Sequence, residues 1–122
     1  MVATDFDAER EFEEEFSAQQ IHASDRAKVV LGFFRPEQFI PVHAPSSDLV
    51  VTVVEGSGVV RDGDEDRAVE PGDVVVVPAD EDRGIEAGET GLEATLVTAP
   101  PPTDAEHEPV RRGLKQGQFE PE

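Results

Sequence analysis

The chain has 122 residues, no Cys, Trp or Tyr, and a net charge of −18 from 28 Asp and Glu against 10 Lys and Arg. That length fits one domain, and Val, Leu, Ile and Phe supply 32 residues, enough for a packed core despite the charge. The composition argues against a nucleic-acid backbone as partner, a membrane span, disulfides, thiolate zinc and iron–sulfur clusters.

Residues 4–20 read as a helix. Thr4 is the expected N-cap with Asp7 three residues on, and Phe12 and Phe16 lie four apart on a stripe that Ala8 continues. MVATDFDAER lacks a basic, apolar leader, so a cytoplasmic protein is expected. From residue 27 to 99 the pattern changes to short Val-rich strands. The expected strands are 27–34, 38–42, 49–55, 57–61, 67–69, 73–77, 83–87 and 92–98. Turn signals separate them, among them Arg35-Pro36, Glu55-Gly56, Asp62-Gly63, Pro71-Gly72 and Ala87-Gly88. Eight short strands with turns this regular indicate an all-β, antiparallel sandwich or barrel. The valine runs 50–54 and 74–77 are apolar on both faces. One face would point into the barrel and the other against a second sheet, the N-terminal helix or another subunit.

After Ala99 the run Pro100-Pro101-Pro102 stops the strands. Thr103 and Glu106 form a capping box, and Pro109 is expected to limit that helix to about one turn. The chain thus divides into an acidic lead-in at 1–26, a barrel at 27–99 and a Pro-led extension at 100–122. Acidic residues are spread over all three parts, and only 2 of the 10 cations are Lys. Such an acid-rich, Lys-poor surface resembles proteins of salt-accumulating halophiles. Its self-repulsion is screened when the Debye length falls to ~3 Å near 1 M salt.

Residues 39–56, FIPVHAPSSDLVVTVVEG, resemble the first motif of the cupin superfamily: His-x-His, three or four residues, Glu, six residues, Gly. Residues 72–84, GDVVVVPADEDRG, resemble the second: Gly, five residues, Pro-x-Gly, two residues, His. The resemblance implies an antiparallel double-stranded β-helix, a jelly-roll barrel with a pocket that in many cupins holds a metal. It also implies a homodimer, since cupins commonly dimerise.

The ligand positions carry over one at a time. His43 falls on the first histidine, Pro45 on the second, Leu49 on the glutamate and Arg83 on the histidine of the second motif. Asp48 is adjacent to Leu49, but strand alternation turns it to the other face. Three of the four ligands are absent, and a guanidinium does not deprotonate to replace one. No metal and no cofactor is therefore expected. His22 and His107 are alternative ligands only if they reach the barrel mouth. His43 and Arg83 together fit another chemistry, because Arg pairs with a carboxylate or phosphate and His exchanges a proton near neutral pH. The alternative for Arg83 is an ion pair with Asp80, Asp82 or another carboxylate of its loop.

Other motifs carry less. In Asp62-Gly63-Asp64-Glu65-Asp66 the carboxylates alternate as in a calcium loop, but Arg67 stands where that loop needs Gly. It reads as a charged hairpin turn. Glu13-Glu14-Glu15 is a solvated face, and no nucleophilic triad is present. The expected function is a cupin-domain protein binding a small polar or anionic molecule through His43 and Arg83. Two alternatives stand beside it: a metal-dependent dioxygenase- or isomerase-like enzyme with unconventional ligands around His43, and a structural homodimer whose pocket is filled. No catalytic residue is assigned, and whether the protein is an enzyme stays open.

Overall fold

Alternation along the valine runs sets the architecture. Leu49, Val51 and Val53 are buried, while the residues between them face outward. The computed structural model describes residues 1–120. The elements in order are α1 (Phe6–Glu9), β1 (Ser17–Ala23), β2 (Lys28–Phe34), β3 (Phe39–His43), β4 (Asp48–Asp62), β5 (Glu65–Val69), β6 (Val74–Val77) and β7 (Arg83–Ala99). A 3-10 turn at Ala105–His107 then leads into α2 (Glu108–Gln116).

All strand pairs are antiparallel, in the order β1-β2-β7-β4-β5, with β3 on β7 and β6 on β4. The two long strands belong to both halves of the barrel. The first half of β4 lies between β6 and the second half of β7, and its second half lies between β5 and the first half of β7. One half-sheet is therefore β1-β2-β7-β4-β6 and the other is β3-β7-β4-β5. Their inner faces pack Phe34, Val51, Val53, Val60, Val77, Ile85 and Leu92 into one core. This is the double-stranded β-helix that the turn spacing and the motifs led us to expect.

The expected strands 49–55 and 57–61 form one continuous strand, β4, and 83–87 and 92–98 form another, β7. The dipeptides Glu55-Gly56 and Ala87-Gly88 are not chain reversals. In β4 the register against β7 shifts between Val53 and Glu55 and again between Gly56 and Gly58. Bulges of this kind let a long strand bend from one half-sheet into the other. Gly56 and Gly91 have φ of 81° and 77°, a left-handed conformation that glycine tolerates best.

A short N-terminal helix is present, but it ends at Glu9 and Asp5, not Thr4, caps it by accepting from the Ala8 amide at 2.7 Å. The rest of the expected helix is irregular, with a bend at Glu14 and Glu15, and Ser17–Ala23 is a strand paired with β2. Phe12 and Phe16 are not a helical stripe. The ring of Phe12 meets the edge of Phe33 at 6.0 Å, as Phe6 does at 5.9 Å, while Phe16 stacks on Phe34 at 5.7 Å. A non-helical segment spreads these rings along β2, and pairing with that strand overrides local helix propensity. Arg10 fastens the segment to Glu93 with an ion pair of 2.8 Å. It does not cover the outer face of β4 and β6, where Val54, Val74 and Val76 are exposed.

The capping box at Thr103 and Glu106 forms: the Thr103 amide donates to Glu106 at 2.9 Å, and the Glu106 amide donates back to Thr103 Oγ1 at 3.3 Å. Pro109 does not stop the helix there. It occupies the first turn of the nine-residue α2, where no amide proton is needed, and the helix ends at Gly117 with φ 68°. Gly113 lets α2 press on β3, since a Cβ there would lie 2.5 Å from Pro41 Cβ. The Val42 amide donates to the Phe119 carbonyl at 2.7 Å, so the tail is tied to β3 as well. No helix among the described residues is long and apolar enough to cross a membrane.

Candidate functional site

The end of β3, the starts of β4, β7 and β2, and the end of β7 come together at one mouth of the barrel, and α2 lies over it. His43 pairs with Arg83 in register on one half-sheet, and Lys28, Thr98 and Leu49 form a cross-strand row on the other. Between them is a cavity of about 380 Å³. Its walls are mainly apolar, with Phe16, Val30, Ile40, Leu49, Ile85 and Leu96 among them. The pocket is thus not filled by its own side chains, as the structural-homodimer alternative required.

The charges around this cavity run against those of the protein. Among the described residues no Asp or Glu lines it, although the chain has 28. Lys28, Arg83 and Arg111 do, together with His43 and His107. An apolar cavity with a few convergent polar groups is the usual form of a small-molecule site, and here every charged group among the described lining residues is positive.

Arg83 is 2% exposed. Its Nη2 donates to the Pro78 carbonyl at 2.9 Å and to the Glu81 carbonyl at 3.3 Å, and Nε reaches the same Glu81 carbonyl at 3.4 Å. Nη1 is buried without a partner among the described residues. The alternative ion pair with Asp80 or Asp82 is not formed. Asp80 accepts from Ser46 Oγ, and Asp48 accepts from the Ala79 amide at 2.9 Å, turned outward as alternation requires. Burial pushes the Arg83 guanidinium below its ordinary value, against the opposing pull of Asp48, Asp80 and Glu106. The glycine of the second motif corresponds to Asp80, whose φ of 72° is one that Asp tolerates better than most residues.

His43 is held by its Nδ1, 2.8 Å from the Pro41 carbonyl. A carbonyl only accepts, so Nδ1 carries the proton and Nε2 is left as the acceptor of the neutral ring. Burial first, and the charge of Arg83 next among the influences of the same sign, push the His43 pKa below its usual value. His107 is pushed down as well, by burial and then by Lys28 and Arg111. Of the two alternative histidines, His107 reaches the cavity and His22 does not; His22 is exposed on β1.

The sequence reading missed Lys28, Thr98 and Arg111. For Lys28 a signal existed: it stands two residues before Val30 on a strand, so both point inward. Arg111 and His107 depend on how α2 returns over the barrel, which no local pattern shows.

These groups do not fit a metal. Leu49 and Arg83, which line the cavity, offer no metal-binding donor. Among the described residues no group of three or more His, Asp or Glu is placed to hold an ion. A tight divalent site needs three or four such donors.

The depressed His43 pKa makes stability depend on pH. As pH falls, the unfolded chain takes up the proton first, so this contribution is present above the unfolded value near 6.5 and is lost as pH falls through the lower folded value. The urea midpoint of the wild type is expected to change with pH between 7.5 and 5.5 in a way that His43→Gln does not share. The variant should lose less stability on acidification, and the difference between the two slopes separates His43 from the general relief of acid repulsion. Parallel slopes would remove His43 from the account.

No protein-family model matches the chain, and no curated protein matches it in sequence. Solved structures do. An RmlC-like cupin protein from Desulfovibrio desulfuricans is 30% identical with a TM-score of 0.62, over 81% of this chain and 91% of that one. TT1209 from Thermus thermophilus is 28% identical with a TM-score of 0.79, over 84% of this chain and all of that one. A conserved Klebsiella pneumoniae protein with a double-stranded β-helix domain superposes with a TM-score of 0.73 at 20% identity, over 80% and 89% of the two chains. Fold, motif frame and these similarities agree: the chain belongs to the cupin superfamily.

Proposed function

We propose that this cupin binds a small organic anion in the barrel mouth, using Arg83 and His43 in place of a metal. The observation that carries the reading is the Nη1 of Arg83, buried at the cavity without a partner in a protein rich in carboxylates. A buried, unpaired charge is costly unless a counter-ion completes it. Among the described residues no carboxylate does so, which leaves the position to a ligand. His43 adds a second polar contact: its Nε2 accepts from a hydroxyl when neutral and donates to a carboxylate when protonated. The metal-dependent alternative is not adopted, because the donors at the mouth do not suit a divalent ion.

A melting screen of the wild-type protein tests the reading. Short carboxylic acids and phosphates are compared with the amides and amines of the same shape. We also read the acid-rich surface as an adaptation to high salt, so the screen is run in both dilute and molar salt. A ligand at a hundredfold excess over its Kd stabilises by ~2.7 kcal/mol, a shift of several degrees. Anions are expected to raise Tm while their amides do not. Stabilisation by amides equal to that by acids, or by no anion at all, would overturn the proposal.

A further inference from the structure

The cavity holds a second centre of positive charge, on the half-sheet that does not hold Arg83. Lys28 opens β2 opposite Thr98, which in turn lies opposite Leu49. It points inward with Val30, and both line the cavity. Among the described residues Lys28 forms no ion pair. Arg111, reaching the same cavity from α2, is partly neutralised by Asp104 at 3.3 Å. Among the described residues the free cation of this centre is therefore Lys28.

The two centres stand on different elements. Arg83 acts on His43 across the β3–β7 pair, whereas Lys28 and Arg111 act together on His107. Leu49, Leu96, Val30 and Ile85 line the cavity with no charge of their own. The inner centre offers few donors. With Nε and Nη2 of Arg83 turned to backbone carbonyls, Nη1 is left for one ligand oxygen. That suits a carboxylate better than a phosphate, whose further oxygens find no other free nitrogen on Arg83.

We infer that the ligand is a dicarboxylate with a short apolar body, one carboxylate on Arg83 and the other on Lys28. This rests on the anion-site reading and narrows it to a ligand class. A ligand with one carboxylate would leave Lys28 without a partner. A dicarboxylate completes both cations and places its hydrocarbon against the walls between them. Lys presents a compact point charge on a flexible stem, so the outer contact tolerates some variation in ligand length.

Calorimetric titration separates this inference from the reading beneath it. Succinate, adipate and suberate are compared with butanoate, hexanoate and octanoate, in the wild type and in Lys28→Met, which keeps an apolar stem. At one length or more the dicarboxylate is expected to bind the wild type about three- to fivefold more tightly than its monocarboxylate, the upper scale of one added partly exposed ion pair. In Lys28→Met that ratio should fall to about one. If monocarboxylates bind the wild type as tightly at every length, the dicarboxylate inference fails while the anion site stands. If no acid binds, both fail. A ratio unchanged in the variant would remove Lys28 from the site.

Discussion

Replacing Arg83 by Met is expected to weaken carboxylate binding by at least about thirtyfold, while the ligand-free variant melts no lower than the wild type. The two effects have one cause. In the free protein Arg83 is a 2%-exposed charge whose Nη1 has no partner among the described residues. Removing a buried charge that has no ion-pair partner costs little or stabilises, provided the replacement packs. Met fills the space of the side-chain stem and matches the apolar wall formed by Leu49 and Ile85. The carbonyls left behind are provided for: Pro78 still accepts from the Glu81 amide at 3.2 Å, and Glu81 lies at the exposed surface. In the proposed complex the same guanidinium is the deep partner of the ligand carboxylate, and truncating one member of a buried charge pair costs ~2–5 kcal/mol. Loss of binding together with unchanged or raised stability is the pattern of a site kept for function. A variant that binds normally, or one that loses stability in step with binding, would contradict this reading.

The second large effect concerns the frame that holds the site. Gly56→Ala is expected to destabilise the barrel by about 2–6 kcal/mol. The residue has φ 81°, and an added Cβ would lie 2.1 Å from the Gly91 carbonyl oxygen, which is backbone of the neighbouring strand and cannot swing aside. Gly91 cannot yield easily, because its own Cβ position is 2.7 Å from the Phe34 carbonyl. Three strands, β2, β7 and β4, are locked together at this bend. Since domains of this size are stable by only ~5–15 kcal/mol, Tm should fall by more than about 10 °C. A Gly72→Ala control separates strain from contact: Gly72 also has a positive φ, of 96°, but nothing lies within 4 Å of its Cβ position. It should lose clearly less. Equal losses would mean that backbone conformation alone, and not the approach of β7, makes Gly56 necessary.

The barrel was legible in the sequence because strand alternation and turn residues are local signals. Leu49, Val51 and Val53 point inward by parity, and Asp48 points out for the same reason. The motif frame also located His43 and Arg83, which the structure brings to one cavity. What local signals did not show was continuity. Gly56 and Gly88 read as turns, yet each lies within a long strand, because a glycine that ends one chain segment and a glycine that bends another look alike. The N-terminal segment was misread in its extent for a related reason. Phe12 and Phe16 have helical spacing, but their partners are Phe33 and Phe34 on β2, and that long-range contact decides the conformation. The basic character of the cavity was hidden differently. Lys28, Arg83 and Arg111 lie far apart in the chain amid an excess of acids, and only the closure of β2, β7 and α2 around one mouth collects them.

The chain's own side chains therefore do two things at this mouth. Arg83 supplies a buried positive charge, and Leu49 adds an apolar wall beside it. The most direct test is a calorimetric titration of the wild-type protein with adipate, in parallel samples with a strong chelator and with added divalent transition metal. One-site binding that is the same in both samples is the expected result. Binding that appears only with the metal, or that the chelator abolishes, would contradict the account.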